Sequence, residues 1–255
     1  DNAYATGVFA VTGVDRVLHI LGFNSEGITN MSHLFGSYSG GNQGCQGFAD
    51  VCLFDTSSVT DLSYFMASMT SISYLKNYDT HNATTLSHAF ANTAAANNAV
   101  VFDLSSCTSA SSMFSGSGIT SASLSNTGGV TSFDYAFGNC DDLVSVNLFD
   151  TSAATTAQGM FSGCASLTTV PQFDLSHSAD VQNMFRNCTQ LTSVPLLDTS
   201  SATRFDYMFY NCSALTAIPL IDTSNAVNMK YMCSYCTSIT EVPLLDTSSV
   251  NNVAG

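Results

Sequence analysis

A three-residue signature, Asp-Thr-Ser or a close variant, returns along this chain with a period near 24 residues. That period limits the folds open to the chain. A unit this short cannot bury its own apolar face, so the copies have to stack into one continuous core. We take the first residue of each signature as a slot. The slots are Asn24, Asp55, Asp79, Asp103, Asn126, Asp150, Asp174, Asp198, Asp222 and Asp246. Their spacings are 31, 24, 24 and 23, followed by five of 24. Exchange of Asp for Asn suits a side chain that hydrogen-bonds nearby backbone.

Other columns keep the same register, numbered by offset from the slot. Offset eleven carries Phe35, Met66, Phe90, Phe114, Phe137, Phe161, Phe185, Phe209 and Cys233. Offset fourteen carries Cys140, Cys164, Cys188, Cys212 and Cys236, and three residues later stand Leu143, Leu167, Leu191, Leu215 and Ile239. Pro171, Pro195, Pro219 and Pro243 form a further column. In a complete coil, Leu191 to Val194 reads as a short parallel strand, which Pro195 ends because proline cannot donate to a ladder. Asp198-Thr-Ser turns the chain. Ala202, Phe205, Met208 and Phe209, at offsets four, seven, ten and eleven, predict a short helical or 3-10 segment. The expected fold is therefore an α/β repeat solenoid, about 50 Å long if ten coils stack at strand spacing.

The pattern Phe-x-x-Cys-x-x-Leu-x-x-Val-Pro-x-x-Asp-Thr-Ser resembles the BspA-type leucine-rich repeats, which also occur in mycoplasma surface lipoproteins. The likeness is close over 143–250, as in LTSVPLLDTSSATRFDYMFYNCSALTAIPLIDTS, and looser over 24–142. It implies a right-handed leucine-rich-repeat coil and extracellular adhesion or recognition, as in bacterial, protist and some phage-fibre proteins. It carries no catalytic residues.

We read 1–23 as an N-terminal cap or decayed repeat and 24–255 as the solenoid, most regular over 126–250. A Gly-rich insertion at 36–52 holds Cys45 and Cys52, which could close a disulfide-stapled loop or a binding loop. The coil at Asp246 stops before its offset-ten and offset-eleven core residues, so further chain, another subunit or a domain is expected to cover that end. Asp1 is followed by neither a basic n-region nor an apolar h-region, which leaves a removed leader and no leader both open.

Composition narrows the function classes. The net charge is −14, with five Lys plus Arg among 255 residues. Nucleic acid and anionic membrane surfaces are excluded as expected partners, because counterion release needs cations. No run of about 18 apolar residues is present to span a bilayer. The expected partners are a protein or glycan on a cell surface, or further copies of the chain, with no cofactor and a location at a cell or virion surface.

Individual columns have bland and sharp readings. The acidic column would repel itself by roughly 3 kcal/mol per neighbour at an effective dielectric of 20, and less when solvated. Turn capping relieves that repulsion, and calcium bridging is the alternative. The cysteine column reads as a buried thiol ladder. Cys233 and Cys236 form a C-x-x-C that could close locally, but zinc would need further ligands. Offset nine holds His33, Tyr64, His88, Tyr135, Tyr207 and Tyr231, either a sticky stripe or plain surface. Thr168, Thr192, Thr216 and Thr240 form a flat strand face suited to a ligand. Ice binding is a weaker use of such a face, because Leu104, Gly128 and Leu175 interrupt the threonine and serine columns. Sequons begin at Asn30, Asn82, Asn187 and Asn211. No Ser, His and Asp stand out as a catalytic set, so no enzyme activity is expected. A filament or virion subunit is the second functional class.

Overall fold

The computed structural model describes residues 11–12, 18–20, 25, 27–36, 48–51, 55–94 and 98–252. Asn24, Cys45 and Cys52, most of the expected cap at 1–23 and most of the 36–52 insertion lie outside them. The described coils stack as a repeat solenoid around one apolar core that runs from Met31 to Met232.

Burial within a coil has a period of three. In the Asp198 coil the buried residues are Thr199, Ala202, Phe205 and Met208, then Phe209, Cys212, Leu215, Ile218 and Ile221, with Asp206 buried out of phase. Between Met208 and Phe209 the phase steps by one residue. The sequence predicts a helical or 3-10 segment here, and the chain instead forms linked β-turns; no helix occurs among the described residues. The hydrogen bonds show why. The N–H groups of Phe205, Tyr207, Phe209 and Asn211 leave the coil and donate to Asn228, Lys230, Met232 and Ser234 of the next. The intervening N–H groups of Met208, Tyr210 and Cys212 donate three residues back, to Phe205, Tyr207 and Phe209. Alternate amides thus tie coil to coil, and the rest close turns. A helix needs all of them in series.

Two of these turns place a left-handed residue third, as a type II turn requires. Offset thirteen supplies one, mostly with residues that tolerate the conformation, Asn92, Gly116, Asn139, Gly163, Asn187 and Asn211, and also with Ser68 and Tyr235. Offset nine supplies the other, yet with bulky rings: φ is 55° at Tyr64, 51° at Tyr135, 56° at Tyr207 and 54° at Tyr231.

The strands are β1 (Val11–Thr12), β2 (Leu18–Ile20), β3 (Phe48–Val51), β4 (Asn98–Asp103), β5 (Ile119–Ser125) and β6 (Ser145–Val146). They form two sheets, ordered β1-β2-β3 and β4-β5-β6. β1 and β2 are antiparallel, and every other pairing is parallel. β4, β5 and β6 occupy the half-coil where the strand was expected. In the coils that carry Pro171, Pro195, Pro219 and Pro243 it shrinks to one regular rung, such as Thr192 N–H to Thr168 O at 3.0 Å, because proline donates nothing to the next rung. The longest parallel ladder stands elsewhere, at offset six. It pairs Asn30, Asp61, Thr85, Ser109, Ser132, Thr156, Asp180, Arg204, Asn228 and Asn252 in unbroken order.

Inside the stack, rings at offset eleven pile face to face. Phe90, Phe114, Phe137, Phe161, Phe185 and Phe209 have successive centroids 5.4–5.9 Å apart and planes within 15°. Removing one such buried ring costs about 3–5 kcal/mol.

Candidate functional site

The slot residues are exposed or half-exposed turn formers. In each described Asp-headed coil the slot Oδ1 accepts the N–H of the second residue on, at 2.8–3.2 Å. Asn126 takes a different part, with a left-handed backbone and its amide donating to Asp103. The Ser57, Ser152 and Ser176 hydroxyls, with their backbone N–H groups, hold Asp55, Asp150 and Asp174 below the ordinary carboxylate value. For Asp222 and Asp246 the backbone N–H leads. Among the described residues, no three His, Cys, Asp or Glu side chains converge as a metal-binding group.

The middle residue of the signature has a role that the sequence reading missed. Thr56, Thr80, Thr127, Thr151, Thr199 and Thr223 are buried. Each hydroxyl donates to the backbone carbonyl of the next coil's slot, at 2.6–2.8 Å. The register itself was the available signal, since the residue after the slot, threonine in most coils and Leu104 or Leu175 in others, has the buried phase.

The cysteine column is a ladder of free thiols. Cys140, Cys164, Cys188, Cys212 and Cys236 each donate to the offset-eleven carbonyl of the preceding coil, at 2.9–3.0 Å. Burial pushes Cys140 and Cys188 up to about 12 and raises Cys164 well above the ordinary thiol value. Cys233 and Cys236 are free and half-buried.

Two exposed faces remain. Thr168, Thr192, Thr216 and Thr240 stand in one column at offset eighteen. The Thr192 and Thr216 hydroxyls already donate to the preceding threonine carbonyl, at 3.2 and 3.3 Å. The aromatic residues form a separate column, nine positions away around the coil. At one end of it His33, Tyr64 and His88 stack with centroids 4.6 Å apart. Tyr135 lies flat over Gly159, where an added Cβ would come within 2.2 Å of the ring. Ser112 and Asn183 hold the same column without a ring.

At the other end of the column the rings meet charge. Tyr207 and Tyr231 lie 5.2 Å apart with their planes tilted by 36°, and Tyr210 and Tyr235, at offsets twelve and thirteen, lie 5.2 Å apart edge to face. The Arg186 guanidinium sits over both Tyr207 and Tyr210, at 5.6 and 5.4 Å. Lys230 Nζ sits over Tyr231 at 5.1 Å. Beside them Arg204 binds Asp180 at 3.1 Å, and its Nε lies 3.7 Å from Asp206. Asp206 is 5% exposed, and its Oδ2 lacks a hydrogen-bond partner. Burial raises its carboxyl above the usual range, the raising opposed by its own backbone N–H and by Arg204. Arg186, Tyr210, Lys230 and Tyr235 were missed from sequence. The signal was local density: three of five basic residues and four of ten tyrosines fall within 186–235.

No helix among the described residues is long and apolar enough to cross a membrane. Two solved structures are similar at low identity. One is a leucine-rich repeat protein from Eubacterium ventriosum, 14% identical, with TM-score 0.35, covering 94% of this chain and 82% of that one. The other is a leucine-rich repeat protein from Bacteroides ovatus, 13% identical, with TM-score 0.28, covering 97% and 89%. No curated protein matches the chain. A family match covers residues 7–127 and 131–245. On that match, which spans nearly the whole solenoid, the chain belongs to the family described as Mycoplasma protein of unknown function, DUF285.

Proposed function

We propose that this chain is a non-catalytic recognition or adhesion solenoid, of BspA-like leucine-rich-repeat type, that works outside the cell at a cell or virion surface. Its contact face is the tyrosine and cation strip over 183–235. One observation carries the reading. Arg186 and Lys230 lie on tyrosine faces and make no ion pair among the described residues, in a chain with 19 acidic residues. Exposed Arg186 and half-buried Lys230 thus stand beside the half-buried rings of Tyr207, Tyr210 and Tyr231 and the exposed ring of Tyr235, the mixture of aromatic area and polar handle that recognition surfaces favour. The left-handed backbone at Tyr207 and Tyr231 adds support. A bulky residue there costs about 1–2 kcal/mol, and such strain gathers at binding sites.

The test is binding to an array of immobilised glycans and extracellular proteins. The chain is compared with its Tyr207→Asn/Tyr231→Asn variant. Asparagine accepts the left-handed backbone, so the fold is kept. The reading expects bound spots that the variant loses; equal binding by both proteins contradicts it.

A second reading, a filament or fibre subunit, is favoured by a column of bare leucines. Leu148, Leu196 and Leu220 are 64%, 58% and 64% exposed, and Leu244 is 95% exposed. Light scattering across concentration tests it. Growth in mass that Leu196→Asn/Leu220→Asn abolishes supports a self-assembling role, and a constant monomer mass removes it.

A further inference from the structure

We infer that the bare leucine column is a second contact surface, and that it seats a cationic amphipathic helix of another protein, laid along the stack. This goes beyond the recognition reading, whose ring strip stands at other offsets. The anchors are Leu196, Leu220 and Leu244, two residues before the slot in three consecutive coils and all exposed. Leu148 continues the column beyond Gln172. The next residues, Leu197 and Ile221, are buried, so the alternation holds the column outward. Contiguous exposed apolar residues mark interaction surfaces. Spacing then selects the shape of the partner. Adjacent coils repeat at about 4.8 Å by strand spacing and at 5.4–5.9 Å between the stacked phenylalanines. One helical turn advances about 5.4 Å. Apolar residues recurring once per turn therefore meet successive leucines in step. An extended peptide presents same-side chains only every 6.6–6.8 Å or so, and it drifts off the leucines within two coils.

Charge fixes the flank of that helix. Two residues on from the column runs the exposed carboxylate row of Asp150, Asp174, Asp198, Asp222 and Asp246. Exposed Glu241 adds an acid on the other side of Pro243. The basic residues of these coils, Arg186, Arg204 and Lys230, stand at offsets twelve, six and eight, each eight or more residues from any leucine of the column. An apolar stripe edged by carboxylates complements apolar residues that carry lysines or arginines beside them. A second copy of the chain brings the same acids and another net charge of −14, and the mutual repulsion disfavours it as the occupant.

The probe is a fluorescein-labelled, helix-forming peptide with one leucine per turn and lysines on their flank. It is titrated into the whole protein and followed by anisotropy at low and physiological salt. One control peptide exchanges the lysines for glutamates, and another breaks the helix with a central proline. The expected result is saturable binding of the lysine peptide that weakens with salt. Leu196→Asn/Leu220→Asn should cost about tenfold or more in affinity. Asp198→Asn/Asp222→Asn should cost several-fold and flatten the salt dependence; asparagine caps the same turn, so the coil is kept. Absence of saturable binding at millimolar peptide overturns the inference. Equal binding of the glutamate peptide overturns the cationic assignment, and equal binding of the proline peptide overturns the helical one. Growth in mass that Leu196→Asn/Leu220→Asn abolishes, without peptide binding, makes a second copy the occupant and also overturns it. Tyr207→Asn/Tyr231→Asn should leave peptide binding unchanged. If that variant loses the peptide and the leucine variant keeps it, this inference falls while the recognition reading stands.

Discussion

At the residue scale, the same side-chain type does opposite jobs at different offsets. Slot aspartates are exposed and satisfied by backbone N–H groups. Asp206 is buried with one oxygen unsatisfied. The two kinds respond oppositely to pH. Hydrogen bonds from the serine two residues on hold the carboxyls of Asp55, Asp150, Asp174, Asp222 and Asp246 below their ordinary value in the folded chain. Their contribution to stability is present above that value and is lost as pH falls through the lower folded values. The raised Asp206 carboxyl works the other way: its cost is present at neutral pH and is relieved on protonation. We therefore expect thermal melting to fall on acidification below pH 4, and only modestly, because these carboxylates are exposed and screened by solvent. We expect Asp206→Asn to raise the melting temperature at pH 7, and a lowered one would show that Arg204 compensates the buried charge after all. The thiols give a separate prediction. Among the described thiols, iodoacetamide at pH 8 followed by peptide mass mapping should modify half-buried Cys236 first, ahead of Cys233, which burial pushes up to about 12. Cys140, Cys164 and Cys188 should react only on unfolding, since their sulfurs are buried and held protonated.

At the element scale, the coil is a set of ladders. The offset-six backbone ladder, the phenylalanine stack, the thiol column and the threonine hydroxyls each link a residue to its counterpart one coil away. Thr199→Val removes the hydroxyl that Asp222 O accepts and should cost about 1–3 kcal/mol in urea unfolding. Phe161→Ala should cost about 3–5 kcal/mol. If either is silent, its ladder does not hold the coils together. Much of this was legible in the sequence. Equal spacing of Asp198, Phe209, Cys212 and Leu215 fixed the repeat, the register and the phase of the core. The helical segment was misread for a physical reason. Spacings of three, as at Ala202, Phe205 and Met208, suit a 3-10 helix and equally suit a series of turns. Where alternate N–H groups go decides between them, and sequence does not record that. The left-handed Asn187 and Asn211 were a hint, because a residue in that conformation ends a helix. The tyrosine strip was only half visible, because Tyr210 and Tyr235 fall outside the offset-nine column that the repeat picks out.

At the scale of the whole molecule, stacking turns one coil's side chains into stripes, and a stripe becomes a surface where neighbouring coils agree. Among the described residues, the threonine column at offset eighteen and the ring column at offset nine are two stripes that could recognise something, beside the column of bare leucines. Their chemistry separates them: threonine hydroxyls such as those of Thr192 and Thr216 are spent on backbone carbonyls, while Arg186 and Lys230 form no side-chain hydrogen bond or ion pair among the described residues. The measurement that decides between the stripes compares two variants on the same glycan and protein array, once equal melting temperatures have established equal folding. One is Tyr207→Asn/Tyr231→Asn, on the ring side. The other is Thr192→Asn/Thr216→Asn, on the strand side. We predict that only the ring-side variant loses binding; loss confined to the strand-side variant would contradict the account.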